Sequence, residues 1–308
     1  LFRSTDGDDV LVGSPARGGV DSLGYLTYGN VFHASLGNDV VDGRAGSSLL
    51  LFDDAAFANG IVLDLNTRSV QEVAPGASIS VRGIDEVRGT AAADVIVGGR
   101  GNTIVDGGDG NDVLRATASA VSFSETYLDG DSLYGGNGND RLIGSMGGDY
   151  LHGGSGNDVL IGRGGTTTNS DWLYGEDGDD LLIGSAGQDR FDGGAGADRI
   201  RFTSIPAKAD QVDIVAWTNG DGDRLEFSQS VFTGFAATGQ LGEDAFYSAA
   251  GATKAHDESD RLIFDTTSGK LYYDADGTGA LRNPVPIATF TSSFDKPLLQ
   301  ASDIFIVA

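Results

Sequence analysis

Residues Gly135–Ile161 read GGNGNDRLI GSMGGDYLH GGSGNDVLI, three nine-residue units in tandem. Each opens on glycine, carries an aspartate at position six (Asp140, Asp149, Asp158) and a leucine at position eight (Leu142, Leu151, Leu160). A strict period of this length marks a solenoid, in which each unit packs only on its neighbours. Working outward, units begin at Gly89, Gly98 and Gly107, and an insertion at about Ala116–Glu125 interrupts them. A weak unit starts at Thr126, and good ones at Gly135, Gly144 and Gly153. The unit from Gly162 takes four extra residues within TTTNS, and units at Gly175, Gly184 and Gly193 follow. Position six reads Asp94, Thr103, Asp112, Asp131, Asp140, Asp149, Asp158, Asp171, Asp180, Asp189, Asp198. Position eight reads Ile96, Val105, Leu114, Leu133, Leu142, Leu151, Leu160, Leu173, Leu182, Phe191, Ile200, without a polar member.

The period dictates a geometry. The glycines at positions one, two and four allow a tight turn with positive φ and expose carbonyl oxygens. The next three residues form a short strand, and side-chain alternation points position eight inward. Two units make one coil, so strands eighteen residues apart stack in parallel, about 4.8 Å apart. Asp140 then lies over Asp158, Asp180 and Asp198, and Asp131 over Asp149, Asp171 and Asp189. Each pair of stacked carboxylates repels by about 1 kcal/mol even in bulk water, and by more when partly desolvated. A hard cation turns these charges into ligands. Calcium takes six to eight oxygens, and carboxylates with backbone carbonyls supply them. The candidate metal residues are Asp112, Asp131, Asp140, Asp149, Asp158, Asp171, Asp180, Asp189 and Asp198, with Gly108, Gly110, Gly136, Gly138, Gly154, Gly156, Gly178, Gly194 and Gly196 shaping the turns. Several calcium ions are expected, with folding and binding as one reaction. A plain solvated acidic face is the alternative. Asp131 lacks the leading glycines of its unit, and Asp94, with no glycine pair before it, reads equally as a turn residue.

Over Gly89–Arg201 this pattern resembles the RTX (repeats-in-toxin) family. The later segments GDRLEF at Gly222–Phe227, DRLIFDTTSGKLYYDADGTG at Asp260–Gly279 and ASDIFIV at Ala301–Val307 resemble the domain that follows the roll in serralysin-type proteins and other type I secretion substrates. The resemblance implies export, unfolded, through a type I apparatus from a calcium-poor cytosol, with an uncleaved signal at the carboxy terminus and folding outside the cell.

The fold expected is all-β: a parallel β-roll followed by a carboxy-terminal β-sandwich-like domain. Residues 1–88 form an irregular β cap with degenerate units around Asp9 and Asp39, residues 89–201 the roll, and residues 202–308 the β-rich secretion domain. That last domain is expected to bury Phe202, Trp217, Phe227, Phe264, Tyr272, Phe290 and Phe305, and to turn a hairpin at Thr267–Gly269. The chain holds 45 acidic against 20 basic side chains, which excludes nucleic acid as a natural partner and an anionic membrane bound through a basic patch. It has no cysteine, so metal is expected to supply the stabilisation that disulfides give elsewhere. No apolar run is long enough to span a bilayer. The chain opens on Leu1 with no initiator Met and no secretory signal, so an upstream region is expected.

No catalytic site is expected. GDSL at Gly130–Leu133 matches a hydrolase nucleophile block, yet Ser132 falls in register with the repeat. His33, His152 and His256 are isolated, and no HExxH occurs. Asp274-x-Asp276-x-Thr278-Gly279 lacks the glutamate that completes an EF-hand, and Asn219-x-Asp221-x-Asp223 is read with the same reserve. The function expected is a secreted calcium-binding folding and export module of a larger effector. The alternatives are an extracellular structural or adhesive protein, with self-assembly or cell-surface contact, and a hydrolase using Ser132.

Overall fold

The computed structural model describes residues 2–3, 8–13, 19–20, 26–27, 29–44, 47–52, 55–117, 130–164, 169–207, 212–217, 222–279, 283–291 and 297–308. The inserted segment, Thr126–Asp129 of the weak unit, most of TTTNS and Asn219–Asp221 fall largely outside them. Among the described residues there is no α-helix, only strands and two 3-10 turns. The chain divides into two compact units, Leu1–Ser155 and Gly156–Ala308.

The first unit is a parallel coil. Asn30–Ala34, Ser48–Phe52, Glu86–Arg88, Ile104–Asp109, Ser132–Asn137 and Tyr150–Ser155 stack in that order on one face. Val62–Asp64, Val95–Arg100, Val113–Thr117 and Arg141–Ile143 stack on the other. A smaller sheet stacks Val10–Val12, Gly37–Asp42 and Ala77–Arg82 in parallel. The inserted residues do not disturb the register. Val105 pairs with Leu133 and Leu114 with Leu142, so the strands on either side of the insertion share one register.

The second unit continues the same plan and then changes it. Val159–Ile161, Leu181–Ile183, Arg199–Phe202, Arg224–Ser228 and Ile304–Val307 stack in parallel. Trp172–Asp177, Arg190–Ala195, Asp213–Ala216 and Val285–Thr291 do likewise. Beyond them the sheet turns antiparallel through Lys270–Tyr273 and Leu262–Asp265, joined by the hairpin expected at Thr267–Gly269, where Gly269 has φ 70°. Pairing therefore crosses both expected domain boundaries. Glu86–Arg88 stacks between strands on either side of residue 88, and Arg199–Phe202 pairs in register with Arg224–Ser228.

Position eight builds the core. Val105, Leu133 and Leu151 in one unit, and Leu173, Phe191 and Val215 in the other, are fully buried. Removing one such leucine side chain costs about 2–5 kcal/mol. Past Ile200 the inward ladder becomes aromatic: Phe202 stacks on Phe227 at 5.0 Å, and Phe232 meets Phe227 and Tyr273 edge-on. Two of the expected core aromatics face outward instead. Tyr272 and Phe305 occupy the outer phase of their strands, Tyr273 takes the inner place, and Phe305 lies 5.1 Å under the Arg224 guanidinium. Strand alternation explains both: in LYY and IFIV the neighbour claims the core.

Candidate metal centre

The turns place the aspartates in ladders with the predicted spacing. In the first unit the Asp94 N–H donates to Asp112 Oδ1 at 2.7 Å, and the Asp112 N–H to Asp140 Oδ1 at 2.7 Å. The alternate ladder runs from Thr103 to Asp131 and from Asp131 to Asp149, both at 2.7 Å. In the second unit Asp158, Asp180 and Asp198 form one ladder (2.7 and 2.9 Å), and Asp171 and Asp189 the other (3.0 Å). Both ladders there extend further than the glycines do: Asp198 donates to Asp223 and Asp189 to Asp213. Neither residue follows a glycine pair, but Asp213-x-Val215 and Asp223-x-Leu225 keep the aspartate-x-apolar half of the unit, a signal the sequence reading passed over. Asp9 and Asp39 make the same bond at 3.2 Å in the smaller sheet.

Glycine serves two purposes in these turns. At position two, Gly108, Gly136, Gly154 and Gly194 have φ between 100° and 109°, and at position four Gly110, Gly138, Gly156, Gly178 and Gly196 between 125° and 138°. At position one the reason is room, not φ: a Cβ on Gly107 would overlap both Asp112 Oδ2 and the Gly135 carbonyl, and one on Gly175 both Asp180 Oδ2 and the Gly193 carbonyl. Carboxylate and carbonyl oxygens of successive turns thus crowd the same side of the chain. Position five adds a ladder that the sequence reading did not anticipate. The Asn139 N–H donates to Asn111 Oδ1 (2.7 Å) and the Asp179 N–H to Asn157 Oδ1 (3.0 Å), opposite in sense to the aspartate ladder.

The aspartates differ in their second oxygen. Asp112 Oδ2 and Asp180 Oδ2 are buried and accept no hydrogen bond. In the turns whose second residue bears a hydroxyl, that residue's N–H folds back onto Oδ2. Thr90 does so to Asp94 (2.6 Å), Ser145 to Asp149 (2.5 Å) and Ser185 to Asp189 (2.7 Å). Asp131 Oδ2 accepts from the Thr117 N–H instead (3.1 Å), and Asp171 Oδ2 lies 3.4 Å from the Ser185 hydroxyl. Backbone N–H groups satisfy a carboxylate as a cation would, so the hydroxyl turns are complete in themselves.

The electrostatics follow. Burial pushes the carboxyls of Asp112 and Asp180 up to about 7, against the pull of one backbone N–H each. The flanking Asp140 and Asp94 add to the rise for Asp112, and Asp158 and Asp198 for Asp180. Burial does the same to Asp131, about 7, with Asp149 beside it. Buried carboxyl groups an ordinary acid would avoid, one oxygen without a donor, and carbonyls crowding the same space make the donor set of a hard divalent cation. The glycine-turn aspartates fit calcium.

Ser132 opens the strand Ser132–Asn137 and donates its N–H to the Thr103 carbonyl, as a repeat residue does. Asp274 is buried, and its Oδ1 accepts the Asp276 N–H at 3.2 Å within its own turn. No helix among the described residues is long and apolar enough to cross a membrane.

No curated protein matches the chain. Among solved structures it is similar to the crystal structure of the extracellular lipase LipA from Serratia marcescens, at 16% identity and a TM-score of 0.20. The match covers 86% of this chain and 45% of the lipase, so the chain spans less than half of that protein's length. Four segments, residues 27–50, 81–114, 128–160 and 165–200, match the RTX calcium-binding nonapeptide repeat. Those segments hold the ladder aspartates from Asp94 to Asp198, and the chain therefore carries RTX calcium-binding nonapeptide repeats that take several calcium ions.

Proposed function

We propose that this chain is a calcium-triggered folding and export module of a secreted protein, itself without catalytic activity, and that its ions sit at the glycine turns. The buried, donorless Oδ2 of Asp112 and Asp180 carries the reading. A calcium-poor compartment leaves the ladders repelling and desolvated; millimolar calcium removes that penalty and stabilises the coil. Export in the unfolded state agrees with the place of the carboxy-terminal strand. Ile304–Val307 lies between Arg224–Ser228 and Gly239–Gln240 with Ile304 and Ile306 buried, so a receptor reads it only before folding.

Far-UV circular dichroism against calcium tests the folding claim. A largely unfolded chain in chelator and a cooperative gain of β structure near millimolar calcium are expected; a spectrum indifferent to chelator overturns it. Deletion of Ala301–Ala308 should retain the protein inside the cell, and unimpaired export would exclude the export role. An adhesive surface protein is the second reading, favoured by the aromatics on the outer faces: Tyr134 stacked on His152 at 4.9 Å with Tyr150 exposed in the first unit, and Trp172 under Arg190 at 5.5 Å in the second. Calcium-dependent binding of the folded chain to cell envelopes would favour it.

A further inference from the structure

The unit Gly98–Asp106 breaks the ladder rule. It reads GGRGNTIVD, with Thr103 where its neighbours carry aspartate and Arg100 at position three. The coil keeps its register there, since the Thr103 N–H still donates to Asp131 Oδ1. The unit has given up a cation ligand and gained a cation.

Arg100 does not stand alone. It lines a cavity of about 710 Å³ together with Arg68, Arg82, Asn66, Gly83 and Asp85. Three arginines lining one space are unexpected in a chain of net charge −25. Their supports are fixed. Asn66 donates to the Gly98 carbonyl (2.8 Å) and to Thr117 Oγ1 (3.0 Å), binding the turn that carries Arg68 to the turn that carries Arg100. Asp64 Oδ1 accepts the Asn66 N–H at 2.8 Å and closes the Arg68 turn. Arg82 is held by Asp42 at 3.0 Å, and Asp85 is engaged by the Ser48 N–H at 2.9 Å. Among the described residues no carboxylate lies within 4 Å of Arg68 or Arg100.

We propose that this cavity binds an oxyanion ligand, with Arg68 and Arg100 as its main receivers and Arg82 as a third. Guanidinium forks match carboxylate and sulfate oxygens in pairs. The volume is that of a small-molecule site, large enough for a sugar-sized ligand as well as a free ion. The shared chemistry is the oxyanion; its source is either a free inorganic ion or an acidic unit of a glycan.

The test is calorimetric titration of the full chain, folded in saturating calcium at low ionic strength, with sodium sulfate and separately with a diuronate disaccharide. Saturable binding at millimolar concentration or below is expected, at least tenfold weaker in Arg68→Gln/Arg100→Gln with an unchanged calcium midpoint by circular dichroism. Tighter sulfate assigns a free ion, and tighter diuronate an acidic glycan. If the double variant no longer folds, the single exposed change Arg100→Gln carries the same comparison. Absence of saturable binding of either probe by the native chain, or equal binding by a folded variant, overturns the proposal.

Discussion

The turns Gly135–Asp140 (GGNGND) and Gly144–Asp149 (GSMGGD) stand one unit apart in the same coil, yet they end in different states. In the first, position two is Gly136, at φ 107°. In the second, Ser145 brings its N–H to Asp149 Oδ2 and its hydroxyl to the Gly147 N–H. The strands that follow are alike: both bury a leucine and both continue a parallel ladder. One residue at position two thus separates a turn that caps its own aspartate from one in which glycine takes that place. The same contrast recurs in the second unit between Gly193–Asp198 and Gly184–Asp189, where Ser185 is the capping residue.

The largest test of this contrast is steric. A methyl group on Gly138 would overlap the Gly110 carbonyl, and φ 138° is closed to other residues. Gly138→Ala should cost about 3 kcal/mol or more, read as a rise in the calcium needed for folding. Gly147→Ala, in the hydroxyl turn and without a positive φ, should cost clearly less. Equal losses would show that both turns bear the same constraint.

Ligand removal is the next largest. Asp180→Asn takes charge from an open carboxylate and should weaken the calcium midpoint by about tenfold. Asp189→Asn, whose oxygens accept the Asp171 and Ser185 N–H groups, should shift that midpoint less than threefold while lowering stability by about 1–2 kcal/mol. Ser145→Gly should do the reverse and add calcium stoichiometry. Identical midpoints for the two asparagine variants would erase the distinction between the turns.

Much of this was legible beforehand. The period gave the two ladders and their members because a nine-residue unit, doubled, fixes which residues stack. Even the four-residue insertion appears as predicted, in the pairing of Asp158 with Asp180. The state of each carboxylate was not legible from its own letter. It depends on the φ of a residue four positions earlier, which the spacing of aspartate and leucine does not report. Past Arg201 the signal fails for another reason. Asp213–Ala216 pairs with Val285–Thr291, and no local pattern encodes a partner so far along the chain.

Acidity gives a smaller effect with a definite sign. Asp112 and Asp180 lie near 7 in the metal-free coil, above the ordinary carboxyl value. A raised folded-state value means the metal-free coil is favoured in acid and loses that contribution as the pH rises through about 7. Calcium needs the ionised form, so protons compete with it below about 7. The calcium midpoint should therefore rise as pH falls from about 7.5 to 5.5, by up to tenfold per unit for each proton displaced. A midpoint flat across that range would mean the glycine-turn carboxylates are not the ligands.

The smallest effect is expected at Glu176, which, like Arg163, is a described position-two residue that is neither glycine nor hydroxyl and has positive φ. It holds φ 77°, a left-handed backbone that costs a side-chain-bearing residue about 1–2 kcal/mol. Glu176→Gly should relieve that cost and give back about 0.5–1 kcal/mol through the greater freedom of the unfolded chain. The net is a gain of about 0.5 kcal/mol, seen as a slightly lower calcium midpoint or a slightly higher melting temperature. Glu176→Ser separates the two kinds of turn more sharply. If the residue at position two decides, serine should draw its N–H onto Asp180 and raise the calcium requirement, although it is smaller than glutamate and removes a negative charge. If it behaves like glycine there, the state of the aspartate is set by the coil as a whole and not by its own turn.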